Sequence, residues 1–119
     1  MRTDIAQMIR VSKRLTQAGG YLELDMPHKT LECLANLGEL GPFEAEVDIL
    51  RGEAFRRQER FQEAAESFEA AARKMPSPKD RQAYLAMSVC FQQAGNVAQA
   101  VQMLARARGA MPRKRKKSP

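Results

Sequence analysis

The chain has 119 residues, 44% hydrophobic, 29% charged and without Trp, enough for one domain with a real core and too few for two. No apolar run approaches membrane-spanning length. The net charge of +6 is uneven: "RKRKK" at 113–117 supplies five cations, and the rest of the chain sets 15 basic against 14 acidic side chains. A nearly neutral body with a basic tail excludes a uniformly basic nucleic-acid-binding domain and confines any phosphate contact to the tail.

Ala, Leu, Gln, Glu, Arg and Met dominate, all good helix formers, and no strand-length stretch alternates polar and apolar residues. The expected fold is all-α. A long first helix is predicted over about 4–24, with Thr3 or Asp4 as its cap. A second follows over about 27–40, opened by Pro27, and a third over about 43–58. The fourth, about 61–74, carries Phe61, Ala64, Ala65, Phe68, Ala71 and Ala72 at intervals of three and four, a single apolar stripe. "MPSPKD" at 75–80 reads as an enlarged loop. Two further helices are predicted over about 80–94 and 97–110, before the tail.

These elements repeat. Gly52, Ala54, Phe55, Ala64, Phe68, Ala71 and Pro76 return 36 residues later as Ser88, Cys90, Phe91, Ala100, Leu104, Ala107 and Pro112. A weaker copy lies 34 residues before the middle unit: Tyr21, Thr30, Leu34, Leu37 and Pro42 for Phe55, Ala64, Phe68, Ala71 and Pro76. A period near 34 marks a helical repeat array. Small residues at Gly52, Ala54 and Ala64 let two antiparallel helices approach closely, and Phe55, Phe68, Phe91 and Leu104 are expected to wedge between neighbours. Gly95 supplies the left-handed residue that ends a first helix. Asp25 and Glu59 hold that place in the other units, so their turns should be less relaxed.

The pattern of small residue, small residue and aromatic, then turn, Ala, aromatic or Leu, Ala and Pro resembles the tetratricopeptide repeat. The resemblance implies a right-handed superhelix of three antiparallel helix-turn-helix repeats. Residues 1–10 begin the first helix as an N-terminal extension. The three-repeat domain spans 11–112, in units of about 11–44, 45–78 and 81–114, and 113–119 form a flexible basic tail. The family's early aromatic survives only as Tyr84; Arg14 and Asp48 stand at that place in the other units.

Catalytic chemistry finds no foothold. His28 is the single histidine, expected to face solvent, so neither a His-based metal cluster nor a Ser–His pair can be assembled. Cys90 occupies a small core position of the repeat, and Cys33 has no base near it in sequence. No phosphate loop, dinucleotide fingerprint or paired-thiol motif is present. The expectation is a protein that is not an enzyme and uses no cofactor. Asp4 and Gln7 interrupt what a signal peptide would need to be apolar. With two cysteines outside any disulfide framework, the expected setting is the cytoplasm.

The resemblance further implies a concave groove lined by the first helix of each unit. It nominates Ser12, Leu15, Gly19, Leu22 and Glu23 from the first unit, Glu46, Ile49, Glu53, Arg56 and Arg57 from the second, and Gln82, Leu85, Val89, Gln92 and Gln93 from the third. Such a surface suits an extended segment or amphipathic helix of another protein, with Arg56 and Arg57 meeting carboxylates. Alternatively, the two arginines simply pair with Glu53 and Glu59. The chaperone-type clamp for acidic C-terminal peptides needs Lys and Asn in the first unit; Leu15 and Gly19 stand there, with Gln82 and Ala86 in the third. The last helix lacks a polar closing helix after it, so self-association through that edge is also expected. The leading function is a non-enzymatic adaptor, small chaperone or assembly factor. The alternative is a nucleic-acid-associated protein using Arg113, Lys114, Arg115, Lys116 and Lys117.

Overall fold

A computed structural model of the chain describes residues 5–109. Six α-helices follow one another: α1 Ile5–Glu23, α2 Pro27–Leu34, α3 Glu44–Arg57, α4 Phe61–Lys74, α5 Arg81–Gln93 and α6 Val97–Gly109. A single 3-10 turn, Gly41–Phe43, precedes α3. The cap expected at Thr3 or Asp4 lies outside the described residues. Each helix packs chiefly on its neighbours in sequence, giving three hairpins laid side by side. The result is elongated, 53 × 33 × 21 Å, as expected of an array whose units touch only adjacent units.

The three hairpin turns share one hydrogen-bond pattern. The amide of Asp25 donates to the Leu22 carbonyl (2.9 Å) and that of Met26 to Tyr21 (2.8 Å). Glu59 and Arg60 repeat this onto Arg56 and Phe55, and Gly95 and Asn96 onto Gln92 and Phe91. This is the Schellman geometry, which satisfies two carbonyls left over at a helix end and needs a left-handed residue to do so. Asp25 (φ 58°), Glu59 (φ 62°) and Gly95 (φ 84°) supply it. In the middle turn the Arg60 guanidinium also lies over the Phe55 ring, 4.7 Å from its centroid, a cation–π contact that ties the turn to the helix it closes.

Within a unit, the glycine in the first helix sets the closeness of the pair. A methyl group at Gly52 would sit 2.7–2.8 Å from three atoms of the Phe68 ring. The ring therefore lies flat on the α3 backbone. In the first unit Ala18 takes the place of Gly52, and the buried Thr30 hydroxyl donates to the Ala18 carbonyl at 3.0 Å. Val11, Leu15, Ala18, Cys33, Leu34, Leu37 and Val47 form one core cluster, between α1, α2 and α3. Ala64, Ala65, Phe68, Met87, Cys90, Phe91, Ala100 and Met103 form a second, between α4, α5 and α6.

Two expectations need correction here. The second helix stops at Leu34 rather than continuing to residue 40. Ala35 is extended, and Asn36 (φ 57°) and Gly38 (φ 79°) are left-handed, which turns the chain so that Leu37 enters the core. The exposed carbonyls of this loop are taken up by α1: Leu37 accepts from Arg10 (2.6 Å) and from Gln7 Nε2 (2.8 Å), and Glu39 also accepts from Gln7 Nε2 (2.8 Å). Tertiary hydrogen bonds thus replace the helical ones expected over 35–40. Second, Phe68 and Phe91 are buried and Phe55 is half-buried against the core, but Leu104 stays 40% exposed, because no described helix follows α6 to cover it.

Asp48, at the place of the family's early aromatic, is buried and ion-paired instead. Lys74 Nζ from α4 reaches its carboxylate at 2.6 Å, with Arg51 at 3.9 Å. A charge pair between the two helices of the unit stands where an aromatic would have packed. Glu44 and Glu46 in the first turn of α3, with Arg56 and Arg57 in its last, complement the helix dipole.

Candidate functional site

Helices α3 and α5, the first helices of adjacent units, are separated by a cleft of about 350 Å³ lined by Glu53, Arg56, Gln82, Leu85, Ala86 and Val89. Each wall follows from helical spacing. On α3, Glu53 and Arg56 are three residues apart and meet in an ion pair of 2.6 Å, each about one-third exposed. On α5, Gln82, Leu85, Ala86 and Val89 share one face, where Leu85 and Val89 remain exposed despite their size. The cleft therefore has a charged wall and an apolar wall. Arg56 carries five N–H donors and commits one to Glu53, which leaves donors for a guest carboxylate.

A second hollow of about 330 Å³, lined by Pro78, Lys79, Arg81, Gln82 and Leu85, adjoins the first through Gln82 and Leu85. Sequence reasoning missed its cations; the enlarged "MPSPKD" loop was the signal that could have found them. Behind the cleft lies Cys90, fully buried. Burial pushes its thiol up to about 11, with Arg56 lowering and Glu53 raising it, so it stays protonated at neutral pH. Cys33 is buried and unpaired as well.

The nominated groove residues divide. Glu53, Arg56, Gln82, Leu85 and Val89 come together in the cleft. Leu15 and Leu22 do not: at 5% and 7% exposed they are core residues, turned inward to fill the space between α1 and its neighbours. Ile49 is half-buried and packs against the second core cluster. Arg57 points away from the cleft, donating to the Leu22 carbonyl at 2.7 Å and lying 3.5 Å from the Asp25 carboxylate. It satisfies the C-terminal end of α1 in the manner of a cationic cap. Glu23, Gln92 and Gln93 are exposed but are not among the cleft's lining residues. Arg113, Lys114, Arg115, Lys116 and Lys117 lie outside the described residues. His28 is exposed, 3.1 Å from Glu32. Among the described residues no group of His, Cys, Asp and Glu is placed to hold a metal ion, and no helix is long and apolar enough to cross a membrane.

Antiparallel helix pairs stacked in register, with a cleft between successive first helices, define a helical-repeat protein. A family model described as tetratricopeptide repeat matches residues 55–115, half of the chain, and the chain belongs to that family. The crystal structure of the TPR domain of Arabidopsis FLU is similar in fold, with a TM-score of 0.68 at 17% identity over 87% of this chain and 95% of that one. The helices thus wind as the right-handed superhelix of the repeat. Comparison with curated proteins gives no match. Family membership supports a protein–protein interaction module in general, a class that is typically non-catalytic.

Proposed function

We propose that this protein is an adaptor, small chaperone or assembly factor that holds a segment of another protein between α3 and α5. The observation that carries this reading is the pairing of exposed Leu85 and Val89 with the Glu53–Arg56 ion pair across a 350 Å³ cleft. An amphipathic guest fits such walls, its apolar side chains against α5 and a carboxylate toward Arg56. On this reading residues 11–112, in units 11–44, 45–78 and 81–114, are the binding domain, and 113–119 is a basic tail. Buried, unpaired thiols at Cys33 and Cys90 suit a cytoplasmic setting.

Selection of peptides from a displayed random library against the full chain tests the proposal. Enriched peptides are expected to carry large apolar residues and a carboxylate. Their affinity should fall about tenfold or more for Val89→Asp and for Arg56→Glu. Deletion of 113–119 should leave it nearly unchanged. Affinity indifferent to both cleft substitutions would overturn the groove. Binding that disappears with the tail, and that weakens steeply with salt on single-stranded DNA, would assign the function to nucleic acid instead.

A further inference from the structure

Helix α6 presents to solvent the face that α4 buries. Val97, Val101, Leu104 and Arg108 stand 36 residues after Phe61, Ala65, Phe68 and Ala72. On α4, with α5 packed alongside, Ala65, Phe68 and Ala72 are 3%, 1% and 4% exposed. On α6, Val97, Val101 and Leu104 are 66%, 57% and 40% exposed. The adjoining face of α6, through Ala100 and Met103, is already buried in the core shared with α5. An open stripe with helical spacing, built like one that receives a helix elsewhere in the same molecule, has the shape of a helix acceptor.

Charge says what that helix must carry. All 14 carboxylates of the chain precede residue 81, while eight of its 20 cations lie from Arg81 onward. Helix α6 itself bears Arg106 and Arg108 and no acid. Residues 110–119 offer the stripe one large apolar side chain, Met111, and would bring five more cations to it. A second copy fares no better. Paired with itself, α6 brings no carboxylate to Arg108, and paired with the exposed Ile5 and Ile9 of α1 it meets Lys13 beside them. Like charges so placed repel. We propose that the α6 face docks an acidic amphipathic helix of another protein, which lies on α6 as α5 lies on α4, its apolar residues on Val97, Val101 and Leu104 and its carboxylates toward Arg108, the cation that shares the stripe. This surface is distinct from the α3–α5 cleft.

The probe is a labelled peptide with the 13-residue sequence of α5. It keeps Ala83, Met87 and Phe91, has Ala at position 90, and carries Glu at its solvent-facing positions 82, 85, 92 and 93. Its counterpart carries Lys at those four positions. Fluorescence anisotropy against the full chain is expected to show saturable binding of the Glu peptide, weaker by about tenfold or more for the Lys peptide and for the Val101→Gln, Leu104→Gln double variant. Both replaced side chains are exposed, and a circular dichroism melt checks that the variant folds. The cleft variant Val89→Asp should bind the Glu peptide undiminished, which separates this proposal from the groove. No saturable binding, equal affinity for Glu and Lys peptides, or indifference to the α6 substitutions each overturns it. So does binding that depends on Val101 and Leu104 but is found only with phosphatidylserine-containing vesicles, or only as sedimentation of a dimer. Those results assign the face to a membrane or to a second copy.

Discussion

Gly52 and Gly19 show how differently two glycines of one fold can act. Gly52 lies under the buried Phe68 ring, and three ring atoms stand 2.7–2.8 Å from where its Cβ would be. Ala there gains helix propensity but pushes a closely packed aromatic, an overpacking cost of about 1–3 kcal/mol. Nothing lies within 4 Å of a Cβ at Gly19, so Ala at that helical position should stabilise by about 0.5–1 kcal/mol. Thermal melts of the two single variants should move in opposite directions, by about 4–8 °C per kcal/mol for a small domain. If Gly52→Ala melts at or above the parent temperature, the Phe68 contact is not what sets the spacing of α3 and α4. Residue scale also explains why the first-unit groove nominations failed. Leu15 and Leu22 occupy the same side of α1 as Val11 and Ala18, and that side is the core.

At the scale of elements, the three turns are one device made with three different residues. Only Gly95 adopts its left-handed φ without a Cβ penalty; Glu59 and Asp25 pay about 1 kcal/mol for theirs. Glu59→Gly should raise stability, with the relief of strain partly offset by the greater freedom of Gly in the unfolded chain, for a net gain of about 0.5 kcal/mol. Gly95→Ala should lower it by about 1 kcal/mol, with no steric contribution, since nothing lies within 4 Å of the added methyl. Urea denaturation of both variants measures the pair; a loss at Glu59→Gly would mean that the Glu side chain contributes more to the turn than its backbone costs. Helix α2 teaches the converse lesson. The helix expected over 27–40 ends at Leu34, and Leu37 and Leu40 reach the core from a loop held by Gln7 and Arg10. Polar side chains 27–30 residues away made that choice, and local periodicity carries no trace of them.

For the whole molecule, contacts run almost entirely between adjacent helices, and the core is split into two clusters rather than gathered into one. In such an array the free energy to open a helix depends on how many neighbours cover it. Among the described helices, α4 has α3 on one side and α5 on the other, whereas α6 has α5 alone. Hydrogen exchange followed by mass spectrometry should therefore find the slowest amides of α4 protected about tenfold or more beyond those of α6. Equal protection in both helices would mean that the array opens only as one unit. The same asymmetry leaves Val97, Val101 and Leu104 uncovered at one edge, and a docked helix there should slow the α6 amides selectively.

The sequence by itself determined the repeat: its period, the hairpins, the left-handed positions at 25, 59 and 95, and the family they belong to. Those features rest on helical spacing and backbone stereochemistry, which are local and survive in the order of the residues. Tertiary structure alone decided that Leu15 and Leu22 turn inward, that Arg57 serves the end of α1, that Asp48 finds Lys74, and that Leu104 is left bare. Each of these depends on what stands across from the side chain, and a neighbour brought in by folding is written nowhere in the local pattern.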